Sequence, residues 1–235
     1  MAWQGSSAAL LALLVCLYVL IECAFAQLRA PGAISKFNPG GQYIMLTFSG
    51  GPHRYSTPLI LDMLKEKNVK ATFFVSGVKS LGLVHILRRM HEEGHEIGNH
   101  GYHPTLFTKL SDDMILSSMH KTRELIRNAT GVHSVHFARP PGGNTNLEVN
   151  ELLKVNGHHK VILWSLDSRD LLRHKGRDVV EVVVRRASPG DVVLLHDSSN
   201  VTVEAIPAMI DQLKEKGFEI LTISQVMSLP DDSPK

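Results

Sequence analysis

The chain has 235 residues, 43% hydrophobic and 20% charged, the proportions of an ordinary globular protein with length for one large domain. A formal charge of +2, dispersed along the sequence, provides no electrostatic footprint for nucleic acid or an anionic membrane. Both cysteines, Cys16 and Cys23, precede residue 27, so a chain lacking its first 26 residues has no thiol and no disulfide and depends on packing.

Ala8 to Ile21 form an uncharged apolar run, Glu22 ends it, and Ala24-Phe25-Ala26 supplies the small-x-small pattern that a signal peptidase accepts before Gln27. The run is shorter than the roughly 18 apolar residues of a membrane span, so residues 1–26 are read as a removed signal peptide with no stable membrane anchor. The expected product is secreted, extracellular or cell-wall located, with an N-terminal extension over 27–42, a domain over 43–228 and a flexible tail over 229–235. Two glycosylation sequons, at Asn128 and Asn200, suit that route.

From Tyr43 onward, short apolar β-prone runs alternate with amphipathic helical stretches, the pattern of parallel strands joined by crossover helices. Seven strands are predicted: Tyr43–Phe48, Ala71–Val75, His95–Gly98, Val135–Ala138, Lys160–Trp164, Asp191–Leu195 and Phe218–Leu221. The first helix opens at Ser56 or Thr57, with Pro58 in its first turn, and stops near Asn68. Later helices are predicted over Leu83–Glu93, Asp112–Arg127, Leu147–Asn156, Asp178–Ala187, Val203–Lys216 and Ser224–Ser228. In such folds chemistry collects at the C-terminal strand ends. Five of the strands there deliver Ser49-Gly50, His100 with His103, Arg139, Asp167 with Asp170, and His196-Asp197.

Taken in order, the segments Thr47-Phe-Ser-Gly-Gly-Pro52, Ala71-Thr-Phe-Phe-Val75, Gly94-His-Glu-Ile-Gly-Asn-His100, Ala138-Arg-Pro-Pro-Gly-Gly143, Trp164-Ser-Leu-Asp-Ser-Arg-Asp170 and Gly190-Asp-Val-Val-Leu-Leu-His-Asp197 resemble the motifs of the polysaccharide deacetylase (NodB-homology, carbohydrate esterase 4) family. The resemblance runs from about Ile44 to Met227. It implies an α/β fold, an irregular (β/α)7 barrel, and a partner polymer containing N-acetylglucosamine, such as chitin or peptidoglycan. It also implies zinc or another divalent metal held by an Asp and two His, with a second Asp as base for the metal-bound water and a His as acid for the leaving amine.

Carried over position by position, Ser49 stands where the family has its base and Gly50 where it has its metal carboxylate, in place of T-F-D-D-G-P. A serine hydroxyl is no base near neutral pH, and glycine offers no ligand. His100 matches a metal ligand, but the family's H-x-x-x-H is shortened to His100-Gly-Tyr-His103. Two readings of His103 stand: a ligand one helical turn from His100, or an exposed loop histidine beside Pro104. Arg139 matches the arginine that orients the base, Asp167 and Asp170 bracket the segment that tunes the acid, and His196 matches the acid. With the base absent, Arg139 is expected to salt-bridge one of those two Asp residues. Gly142 replaces a tyrosine of the sugar site, and His53 has no spacing that marks it as a substitute ligand.

Three functions compete on this basis. One is a glycan-binding copy with impaired catalysis, another an active metal-dependent N-deacetylase, and the third a barrel repurposed for a protein partner.

Overall fold

The computed structural model describes residues 31–38, 40–157 and 159–229. The signal peptide predicted over 1–26 lies outside them, as does nearly all of the predicted tail. Among the described residues no helix is long and apolar enough to cross a membrane.

Among these residues, eight strands are interspersed with eight α-helices. The strands are β1 (Tyr43–Gly51), β2 (Thr72–Val75), β3 (Glu96–Asn99), β4 (Phe137–Ala138), β5 (Lys160–Val161), β6 (Leu166–Asp167), β7 (Val192–Leu195) and β8 (Glu219–Ile220). The helices are α1 (Ser56–Glu66), α2 (Gly77–Ser80), α3 (Val84–Glu92), α4 (Asp112–Thr130), α5 (Leu147–Gly157), α6 (Gly176–Arg186), α7 (Asn200–Glu215) and α8 (Ile223–Met227). The predicted helices agree to within about three residues at each end. The one-turn helix α2 carries no periodic pattern and escaped prediction.

All the strand pairs are parallel, in the order β5-β4-β3-β2-β1-β7-β6, with β8 beside β1. The two ends of that order are neighbours in the chain: the predicted strand Lys160–Trp164 supplies β5, and β6 follows just beyond it. Lys160–Val161 pairs with β4, the chain bends through Ile162–Ser165, and Leu166–Asp167 pairs with β7. A single bent strand thus reaches both ends of the curled sheet, and the irregular (β/α)7 barrel of the sequence reading accounts for the topology.

The segment before β1 belongs to the same body. Ile34 bridges Ile162 in parallel and Lys36 bridges Asp191 antiparallel, while the Lys36 ammonium lies 2.9 Å from Asp191 Oδ1. The predicted domain boundary at residue 43 is therefore later than the barrel's own first contacts, because these isolated bridges leave no strand-length apolar run in the sequence.

Alternation along β1 separates two cores. Ile44, Leu46 and Phe48 face outward into a cluster with helices α1, α3, α6 and α7, including Leu61, Leu87, Val183 and Ile206. Met45 faces inward with Phe74, Phe137, Ile162 and Val192, and α8 closes that end with Ile223 and Val226. Burial on both faces explains why β1 reads as a continuous apolar run. Inside, space is short: a Cβ on Gly98 would come within 2.5 Å of the Phe74 ring. Above this apolar plug, the inward positions of β1 become Thr47 and Ser49, and the interior turns polar.

His95, at the opposite end of the barrel from those polar positions, is buried against Phe73, and its Nδ1 accepts the Ala71 N–H at 3.2 Å. Burial, aided by Lys70 and Arg89, lowers its pKa to about 4. The folded chain holds this ring neutral, whereas the unfolded chain takes a proton near pH 6.5. Stability from this group is complete above pH 6.5 and is lost as pH falls toward 4. We expect His95→Phe to melt lower than wild type at pH 7.5, because the Ala71 N–H loses its acceptor. Its melting temperature should also decline less between pH 6.5 and 4, and parallel declines in thermal unfolding would contradict the assignment.

Candidate active site

The polar end of the barrel is built around Arg139, which follows β4 and is 1% exposed. Its Nε donates to the Ile162 carbonyl at 2.9 Å and its Nη2 to the Leu163 carbonyl at 2.7 Å. Its Nη1 donates to Thr47 Oγ1 and Ser49 Oγ, both at 2.9 Å. The guanidinium lies 4.1 Å over the Phe74 ring and 5.7 Å from that of Trp164. The expected salt bridge to Asp167 or Asp170 is therefore corrected: these bonds go to neutral oxygens, because Asp170 is committed elsewhere and Asp167 turns onto its own loop. Desolvation without a carboxylate lowers the Arg139 pKa to about 9, which leaves it charged at neutral pH.

Beside Ser49, Gly50 has φ +75°. A Cβ built there would meet only the His100 ring, at 3.8 Å from Cδ2 and 3.9 Å from Nε2. His100 follows β3, and its Nδ1 lies 2.6 Å from the Arg139 carbonyl. That carbonyl can only accept, so Nδ1 carries the proton and the lone pair of Nε2 is left on the edge nearest Gly50. Burial and the charge of Arg139 lower the His100 pKa to about 3, so the ring is neutral.

His196 follows β7 and is held by Asp170. The Asp170 carboxylate binds His196 Nδ1 at 2.8 Å through Oδ1 and the His196 backbone N–H at 2.6 Å through Oδ2. Thr202 Oγ1, from the first turn of α7, donates to Oδ2 at 2.5 Å. Burial alone pushes the Asp170 pKa up, but these bonds outweigh it and the carboxyl stays below its ordinary value. His196 is thereby oriented through its Nδ1, which leaves Nε2 free of the Asp170 contact.

The other predicted residues sit apart from this pair. Asp167 accepts the Arg169 N–H at 2.7 Å and stabilises its own turn. His103 is exposed in the loop after β3, its ring edge-on to Tyr102 at 4.8 Å. His53 bonds Ser56 Oγ through Nδ1 at 2.6 Å, next to the loop that it opens. Gly142 is exposed, with φ +65°, in a turn below Leu106. Asn128 is exposed on α4 and Asn200 is the exposed first residue of α7.

Two polar residues of the site, Thr47 and Thr202, were not singled out from sequence, and Asp197 was placed at its strand end without a role. Thr47 and Thr202 are fully buried partners of Arg139 and Asp170. Thr202 had been noticed only as the third residue of a sequon. Asp197 is buried against Gly51, where a Cβ would lie 1.9 Å from its Oδ2, and that oxygen accepts from Thr57 Oγ1 at 2.6 Å. Burial raises its pKa.

The arrangement does not fit a divalent metal. Gly50 has no donor atom, Ser49 Oγ is taken by Arg139, and His103 is turned to Tyr102 on the surface. Among the described residues no three His, Cys, Asp or Glu side chains converge on a point that an ion could occupy. His100 presents the lone pair of its Nε2 on the edge nearest Gly50.

Comparison with known proteins agrees with the motifs. The polysaccharide deacetylase profile matches residues 36–161. The chain belongs to the polysaccharide deacetylase family. It is 31% identical to a peptidoglycan-N-acetylglucosamine deacetylase of Bacillus cereus over 206 residues, which cover 86% of this chain and 96% of that protein. It is 33% identical to the peptidoglycan-N-acetylmuramic acid deacetylase PdaC of Bacillus subtilis over 189 residues, 80% of this chain but only 39% of PdaC. Among solved structures, a CE4 family pseudoenzyme from Bacillus anthracis superposes with a TM-score of 0.79 at 30% identity, covering 85% of this chain and 70% of that one. A mutant of that pseudoenzyme with restored enzymatic activity superposes equally well. Deacetylases of this family are generally metal-dependent, which sets the family's chemistry against the ligand-poor site found here.

The Asp170–Thr202 contact yields a direct test. Thr202→Val keeps the shape and removes one charge-assisted hydrogen bond to a buried carboxylate, so urea unfolding should show a loss of about 1–2 kcal/mol. The loss should shrink as pH falls and Asp170 is protonated, because a depressed carboxylate pKa stabilises only above it. A variant as stable as wild type at pH 7 would refute this contact.

Proposed function

We propose that this family member binds an N-acetylglucosamine-containing polysaccharide at the C-terminal end of its barrel and deacetylates it weakly or not at all. The observation that carries the reading is the pair Ser49–Gly50: Arg139 donates to a hydroxyl where the family has a base, and the next position has no side chain. Losing a general base costs on the order of 10²–10⁴ in rate, and losing a metal ligand adds to that.

The structural kinship with a family pseudoenzyme supports the reading, as does the retained His196–Asp170 pair, which fits an ancestral acid left in place. The substrate class is supported by the names of relatives that act on peptidoglycan; a chitin-like polymer is the alternative within that class. Tyr55, Leu171 and Leu172, on the loops after β1 and β6, are exposed at the same end and offer apolar surface for sugar rings. Zinc or another divalent metal would matter only to a catalytic form.

Restoration tests the proposal. An Asp at 50 has room, since its Cβ would touch only His100 at ordinary contact distance, and Asp tolerates a positive φ better than most residues. We expect Ser49→Asp with Gly50→Asp to gain zinc affinity and release acetate from N-acetylglucosamine oligomers, with wild type near background and largely metal-free after dialysis. Metal-dependent acetate release by wild type, abolished by His196→Ala, would establish the active N-deacetylase instead.

We further propose that the protein is secreted into the extracellular space or cell wall, starting at Gln27, with glycans at Asn128 or Asn200. Support comes from the apolar leader and from the exposure of both asparagines. Mass spectrometry of the native product should find residue 27 at the amino terminus, and an intact residue 1 would overturn the proposal.

A further inference from the structure

The loop after β6 gathers charge that the overall +2 conceals. Arg169, Arg173, Lys175 and Arg177 all fall within positions 169–177, and the one acid in that stretch, Asp170, is buried against His196. Among the described residues Arg169, Arg173 and Lys175 make no ion pair, and Arg177 meets only Asp178, at 3.6 Å. Arg173 is partly buried, and its Nε has no hydrogen-bond partner. The remaining acids nearby are engaged locally: Asp167 accepts the Arg169 N–H, and Glu204 accepts the Gly176 N–H at 3.1 Å.

Two leucines stand in the same loop. Leu171 is 61% exposed and Leu172 77%, side by side in the single 3-10 turn Asp170–Leu172. The turn is tied to the barrel through Asp170, which binds His196 and Thr202. Tyr55, 73% exposed, lies on the loop after β1. Only β7 separates β1 from β6 in the sheet, so both loops rise from one side of the same barrel end.

An exposed apolar pair set among unpaired cations matches the chemistry of a phospholipid surface, where acyl chains receive the leucines and phosphates receive the cations. A neutral glycan has no use for the charges, and a soluble anion has none for the leucines. We propose that the segment Arg169–Arg177, with Tyr55, docks reversibly on an anionic phospholipid membrane. Leu171 and Leu172 enter the acyl boundary, the basic side chains meet lipid phosphates, and Tyr55 lies at headgroup level. Such docking is peripheral, since two leucines are far short of a membrane span. It stands whether or not a glycan also reaches these side chains.

The test sediments the full secreted chain with phosphatidylcholine vesicles, plain or containing about 30% phosphatidylglycerol. We expect about tenfold more protein on the anionic vesicles, and a decline when salt is raised about fivefold, as screening shortens the reach of the cations. Leu171→Ser with Leu172→Ser should lower binding to anionic vesicles about tenfold, by loss of apolar burial. Arg169→Gln with Lys175→Gln should lower it by a similar factor and flatten the salt dependence. All four side chains are exposed, so both variants should melt with wild type.

Equal sedimentation of wild type with plain and anionic vesicles would overturn the proposal, and that comparison needs no variant to fold. Undiminished binding in a folded leucine variant would overturn it as well. Retention on a soluble acidic polysaccharide such as polygalacturonate, without vesicle binding, would assign the cations to an acidic polymer and reject the membrane.

Discussion

A single buried cation organises the upper half of this barrel. Arg139 ties β1, through Thr47 and Ser49, to the bent segment between β5 and β6, through the carbonyls of Ile162 and Leu163. Its own carbonyl receives His100 from the end of β3. Phe74 of β2 lies under its plane. One side chain therefore links four stretches of the sheet, and the bend that lets a single strand pair with both β4 and β7 is held where Arg139 takes its carbonyls.

This placement explains how the fold survives the loss of its motif carboxylates. Charged groups in a barrel interior must be paired or heavily hydrogen-bonded. Here the guanidinium finds hydroxyls, carbonyls and an aromatic face, while Ser49 is small enough to enter the same inward position and remain 4% exposed. What has gone is the negative charge, and with it the means to hold a cation. The acid side of the site did not share in the loss. Asp170 from the turn after β6, His196 after β7 and Thr202 of α7 form a self-contained unit, whose hydrogen bonds need nothing from β1.

The two halves of the site thus have separate fates. The β1 half presents hydroxyls where the family's motif has a carboxylate, packed around a buried Arg139. The β7 half keeps a histidine oriented by a buried carboxylate. Chemistry in the family needs both at once, since a proton donor without an activated water has nothing to complete. The proposed glycan binding needs only the shape and rim of this end of the barrel.

The sequence alone determined the alternation of strands and helices, because strands buried on both faces and helices with one apolar stripe leave local periodicities. It also located Ser49, Gly50, His100, Arg139, Asp170 and His196, since ordered motifs at strand ends keep their spacing in one dimension. Tertiary structure decided what each residue touches. Arg139 meets hydroxyls and carbonyls 23 to 92 positions away, in place of the expected carboxylates, and Asp170 rather than Asp167 holds His196. Thr47, Thr202 and the bridges of Ile34 and Lys36 were invisible for the same reason: a single polar contact between distant segments leaves no periodic trace, and only the curled sheet brings those segments within hydrogen-bond distance.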